Sequence, residues 1–221
     1  MDCREGRRDA SAMSKVPELL RRSIGALVLL AGLGGGTYIV DQTAEREAQS
    51  NAYVQAVAAD PDVSDAVRIA MVLGSYYESS NRHIGKPYVD KAGKGQPLTV
   101  CNGLTGPEVV AGRYYSPGDC FRLEKARYLK SEAAAKRLLR FWGQYDAFTR
   151  ATFIDFIHNK GEAAFSTSTM LGLANAGHLE RACRENPRWN KGTVNGVLQV
   201  LPGLQIRGDA NGEICEIWRL T

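Results

Sequence analysis

The sequence predicts an α+β domain, mainly helical, with a hairpin-like unit set between its first helices. Three observations point there. Apolar residues recur at three- and four-residue intervals in several separate stretches, the pattern of helices with one buried face. Between the first two of these lies a run from Ser79 to Gly106, punctuated by Gly, Pro and Lys, where the helical period stops and turn residues dominate. The 221 residues suit one domain of ordinary size plus an appendage, and they can bury a core.

Residues 1–22 form a polar, basic leader, with Arg7, Arg8, Lys15, Arg21 and Arg22 ahead of an uncharged apolar stretch from Ile24 to Val40. Such an order reads as an export or anchoring segment whose amino end stays inside the cell. Gly25, Gly32, Gly34, Gly35 and Gly36 dilute it. A helix over 24–40 would span about 25 Å at 1.5 Å per residue, short of a roughly 30 Å hydrocarbon core. Three readings compete. A cleaved signal peptide needs a small-x-small site, for which only Gln42-Thr43-Ala44 offers itself. A buried core helix is ill served by the glycines. An uncleaved anchor with a marginal hold on the bilayer is the third reading, and residues 23–40 are assigned to it. Met13 is an alternative start that would discard Cys3.

Residues 41–61 are polar and Ala-rich and read as a linker, closed by Asp60-Pro61, since the residue before proline disfavours helix. The folded domain is then expected over 62–221. Asp62 or Ser64 can cap its first helix, where Val67, Ala70, Met71, Gly74 and Tyr77 lie on one face and Glu78 closes the pattern. The turn-rich run that follows carries a second carboxylate, Asp90, and a hydroxyl, Thr99, in a hairpin-like unit. Ser116-Pro117-Gly118-Asp119 opens an amphipathic helix through Lys136, with one buried and one solvated face. Phe148–His158 is apolar with helical period and is stopped by Asn159-Lys160-Gly161. His158, inside that periodic run, reads as structural.

Two acids and a hydroxyl in one short unit suit hydrolysis of a glycosidic bond. One protonated carboxyl must protonate the leaving oxygen while a second polar group positions or activates water. Acids in a polar loop are more often solvated surface groups, so the wording around them matters. Glu78, then Lys-Pro-Tyr-x-Asp, then Leu-Thr-Val-Cys-x-Gly-x-Thr-Gly resembles the catalytic segment of the phage-type lysozymes of glycoside hydrolase family 24. Asn159-x-Gly161, Phe165 and the Ser/Thr-rich residues after it resemble a second block of that family, with Phe165 as core and Ser166 or Thr167 as helix cap. Trp189 to Gly192, Leu204 to Arg207 and Glu213 to Trp218 resemble a third: a Trp, a Gly-rich turn, a short helix and a final helix. Three blocks in the right order are far more specific than any one. The chain departs from the family in longer Glu-to-Asp and Asp-to-Thr gaps and in Leu104, where a His is usual.

The resemblance implies a lysozyme-like α+β fold, with a small β-hairpin lobe facing a larger helical lobe across a cleft, and a catalytic triad of Glu78, Asp90 and Thr99. Glu78 would be the general acid, and Asp90 and Thr99 would position a water for inverting hydrolysis of the β-1,4 bond between N-acetylmuramic acid and N-acetylglucosamine. Inverting carboxylates stand roughly 6.5 to 9.5 Å apart to admit that water. Bacterial peptidoglycan would be the substrate, with no cofactor, no metal and no nucleic acid, and the chain would act as a monomer. The 23–40 segment resembles the signal-arrest-release segment of certain phage lysozymes. That implies export by the host secretion machinery to the periplasm, with an initial tether to the inner membrane through residues 24–40. Cys101, Cys120, Cys183 and Cys215 sit where exported phage lysozymes often place disulfides. Order along the chain suggests Cys101–Cys120 and Cys183–Cys215, one of the three connectivities that four cysteines allow. A lytic transglycosylase on the same polymer and a membrane-tethered wall-binding protein with a disabled cleft remain alternatives. The formal charge of +4 suits an anionic polymer without selecting one.

Overall fold

Helix α1 (Ala44–Ala59) precedes α2 (Asp65–Ser79) in the computed structural model, which describes residues 44–80, 82–90, 95–194 and 196–216. The leader, the proposed anchor over 23–40 and Trp218 lie outside the described residues. No helix among the described residues is long and apolar enough to cross a membrane. Residues 41–61, expected as a linker, hold α1 instead. Its Tyr53, Val54 and Val57 form a narrow apolar stripe buried in the core, too narrow to stand out from Ala-rich surroundings.

Ser64 caps α2 by accepting the Val67 N–H, so the cap is Ser64 rather than Asp62. The expected face of α2 turns inward: Val67, Ala70 and Met71 are fully inside, Gly74 is buried and Tyr77 is partly buried against the core. Gly74 is required there, because a Cβ would fall 1.7 Å from the Tyr128 hydroxyl. Glu78 lies in the last turn.

A three-stranded antiparallel sheet follows, of β1 (Tyr88–Val89), β2 (Leu98–Val100) and β3 (Leu104–Thr105). Thr99 sits opposite Tyr88 on one side and Thr105 on the other. The turn between β2 and β3 passes through two left-handed residues, Cys101 (φ 55°) and Gly103 (φ 80°).

The small lobe is joined to the rest by α3 (Pro117–Leu138), opened by a capping box between Ser116 and Asp119 with Pro at its start. Helix α4 (Ala147–Lys160) is the centre of the large lobe. Asp146 caps it, Phe153 and Ile154 are fully buried, and Gly161 ends it with a positive φ. Short helices α5 (Glu162–Ser166), α6 (Thr169–Asn175) and α7 (Leu179–Cys183) wrap this core. Phe165 is core as expected. The cap of α6 is Ser168, which accepts the Leu171 N–H, whereas Ser166 and Thr167 bond back to the carbonyl of Ala163.

Two features after Trp189 differ from expectation. A second hairpin, β4 (Lys191–Val194) with β5 (Val197–Val200), stands where a Gly-rich turn was expected. One continuous helix, α8 (Pro202–Cys215), replaces a short helix and a final one. Gly208 is a contact point in it: a Cβ there would lie 2.8 Å from the Asn186 carbonyl oxygen. Disulfides Cys101–Cys120 and Cys183–Cys215 are both present, the first tying the β2–β3 turn to α3, the second α7 to α8.

Candidate active site

Glu78 projects from the end of α2 into a cleft of about 490 Å³ between the β2–β3 turn and helices α3 and α4. Its side chain is 34% exposed. Gly103 faces it across the turn, and a Cβ there would come 3.8 Å from Glu78 Oε2. Arg127, Lys130 and His158 line the opposite wall.

Asp90 and Thr99 stand together on the hairpin. The Asp90 N–H donates to the Pro97 carbonyl at 3.0 Å, and the Thr99 hydroxyl donates to the same oxygen at 3.2 Å. Thr99 is buried at 2% exposure, at the centre of β2. Of the three candidate residues only Glu78 is among the described lining of the large cleft. Tyr88 connects the two groups electrostatically: burial raises its phenol first, and the charges of Asp90 and Glu78 raise it further.

The residues that hold Glu78 were not anticipated. Arg207 of α8 donates from Nη1 to Glu78 Oε1 at 2.7 Å, while its Nε and Nη2 form a fork on Asp155 at 2.9 and 2.6 Å. Asn211 Nδ2 adds a bond to Asp155 at 2.6 Å, and the Tyr77 hydroxyl donates to Asn211 Oδ1 at 2.9 Å. The guanidinium also lies 4.9 Å from the centre of the Tyr77 ring. Asp155 is fully buried. Burial alone would lower the Arg207 guanidinium, but Asp155 and then Glu78 hold it above its ordinary range, so it is a permanent cation. The only signal in the sequence is an Asp inside the apolar run of α4, with an Arg one turn before Asn211.

His158 stacks on Tyr128, ring centres 4.0 Å apart and 12° from parallel. Burial lowers its imidazole against the pull of Asp155, and burial lowers His83 likewise. Both are neutral groups held below their ordinary value near 6.5. Above that value the unfolded and folded states bind the same protons. As pH falls through it the unfolded chain protonates first, so stability declines on acidification. Thermal unfolding between about pH 7.5 and 5.5 should show a falling midpoint, with a shallower slope in His158→Phe. Equal slopes in the two proteins would show that His158 contributes nothing.

Residues 82–211 match the phage lysozyme family. The chain belongs to that family. It is 33% identical over 135 residues to a SAR-endolysin of Bacteriophage PS119, spanning 60% of this chain and 74% of that protein. It is 38% identical over 103 residues to a SAR-endolysin of Escherichia phage Mu, spanning 47% and 57%. The fold resembles the active form of P1 phage endolysin Lyz, with a TM-score of 0.62 at 18% identity over 84% of this chain and 98% of that one. It also resembles the muramidase domain of SpmX from Asticaccaulis excentricus, with a TM-score of 0.58 at 19% identity over 66% and 94%. The fold is therefore lysozyme-like, with the helical majority and the small antiparallel sheet in the expected places.

Proposed function

We propose that this phage lysozyme family member is an endolysin that hydrolyses the β-1,4 bond between N-acetylmuramic acid and N-acetylglucosamine in bacterial peptidoglycan. The observation that carries the reading is the placement of Glu78, in the last turn of a buried helix, clamped by Arg207 and open to a cleft beside the hairpin of Asp90 and Thr99. Glu78 acts as general acid. Arg207 occupies Oε1, which leaves Oε2, the oxygen facing Gly103, to carry and deliver the proton. Thr99 already donates its proton to Pro97, so its oxygen is left to accept from a water. With Asp90 it orients that water for attack from the face opposite the leaving group, giving inversion. Arg127 and Lys130 suit the carboxylates of an anionic wall polymer.

Export with a temporary tether through residues 24–40 fits the apolar stretch and the SAR-endolysin relatives. The reaction class is tested on purified peptidoglycan by mass spectrometry, with the anomer of early products read by NMR. Reducing ends of inverted configuration are expected, and Asp90→Ala and Thr99→Ala should each lower kcat far more than they raise KM. Anhydro-sugar ends would instead establish a transglycosylase, and full turnover by Asp90→Ala would point to one.

A further inference from the structure

Glu124 is a buried carboxylate that the mechanism above does not use. It lies on α3 at 3% exposure, and among the described residues the groups that hydrogen-bond to it are all donors. The Asn102 backbone N–H donates to Oε1 at 3.1 Å, Asn102 Nδ2 donates to Oε2 at 3.1 Å, and the Tyr53 hydroxyl of α1 donates to Oε2. A shell made of donors alone is satisfied by a carboxylate and not by an amide, whose NH₂ would meet at least one of them.

What this carboxylate holds is the turn that covers the acid. Asn102 is the middle residue of the Cys101–Gly103 turn, between two left-handed residues, and its Oδ1 lies 2.9 Å from Ser79 Oγ, whose single proton it shares with the Ser75 carbonyl, also at 2.9 Å. Ser79 is the residue after Glu78, and Gly103 is the residue facing Glu78 Oε2. Helix α3 therefore grips this turn twice, through the Cys101–Cys120 disulfide and, one helical turn later, through Glu124. Tyr53 closes the shell from the other side, and it is itself buried at 6% exposure.

We propose that Glu124 is a positioning residue for the hydrolysis, fixing the Asn102–Gly103 turn over Glu78, and that Tyr53 completes it, so that α1 is part of the support of the active site. This rests on the reading of Glu78 as the general acid. Because a displacement of about 1 Å at a reacting group can cost about a hundredfold in rate, Glu124→Gln should lower kcat about tenfold to a hundredfold while KM stays within about threefold. Tyr53→Phe, a milder change that keeps the ring, should lower kcat less. The double variant should be no slower than Glu124→Gln, since both act on one network.

The test uses the full chain on soluble peptidoglycan fragments. It compares Glu124→Gln, Tyr53→Phe, their combination and Glu78→Gln, with thermal unfolding of each. A merely structural role would lower the unfolding midpoints with kcat at the parent value, or give effects on kcat that simply add, and either overturns the proposal. If Glu124→Gln does not fold, Tyr53→Phe decides, and parent kcat in that variant is the overturning result. An active Glu78→Gln would mark the assignment of the acid as the failure, and the proposal would fall with it. An inactive Glu78→Gln beside a fully active Glu124→Gln overturns the proposal alone.

Discussion

Glu78→Gln should lower turnover about 10²- to 10⁴-fold while leaving the fold intact, the loss expected when a positioned general acid is removed. The amide is nearly isosteric with the carboxyl but cannot deliver a proton to the leaving oxygen. Its carbonyl can take the place of Oε1 and accept the Arg207 Nη1 hydrogen bond, and its NH₂ then points where Oε2 stood, toward Gly103 and the open cleft. No buried charge is stranded, because Arg207 keeps its fork on Asp155. The variant should therefore unfold within about 1 kcal/mol of the parent, as do most substitutions that strand no buried group. Clearing of purified wall preparations measures the activity and a denaturant titration measures the fold. Near-parent clearing by Glu78→Gln would mean that the acid has been misassigned.

Much of the architecture was legible because it depends on local rules. The stripe from Val67 to Tyr77, the Ser64 and Ser116 caps and the Gly161 stop announce helices α2, α3 and α4 without reference to anything distant. Glu78, Asp90 and Thr99 could be singled out because they fall within one continuous stretch of sequence. Arg207 and Asp155 could not, since a contact between residues 129 apart leaves no period, and a buried Asp in an apolar helix looks like a lapse until its partner is seen. Glu124 was hidden for a related reason: on an amphipathic helix rich in Glu, Lys and Arg it resembles its solvated neighbours. The β4–β5 hairpin was missed although Asn195-Gly196 between Val-rich strands is a recognised hairpin signal, because the family pattern places a Gly-rich turn after the Trp. Helix α1 was missed because three apolar residues among alanines give a weak stripe. Only packing against α3 makes it decisive.

Arg207→Met should be strongly damaging, and its effect separates into two measurable parts. Asp155 is fully buried and takes three hydrogen bonds, two from Arg207 and one from Asn211. Losing the guanidinium leaves a buried carboxylate with only the Asn211 bond, and removing one partner of a buried pair costs about 3–5 kcal/mol. Against a total stability of about 5–15 kcal/mol, that is enough to unfold a visible fraction of the protein at moderate temperature. Adding Asp155→Asn to Arg207→Met removes the stranded charge, and the new amide oxygen can still accept from Asn211. The double variant should therefore recover most of the lost stability. It should not recover turnover, because Glu78 still lacks the donor that holds Oε1 and leaves Oε2 facing the cleft. Urea midpoints and kcat for the parent, the single variant and the double variant test both parts. A parent-like midpoint in Arg207→Met would show that the buried fork carries no stability, and a double variant with restored kcat would show that Arg207 does not orient the acid.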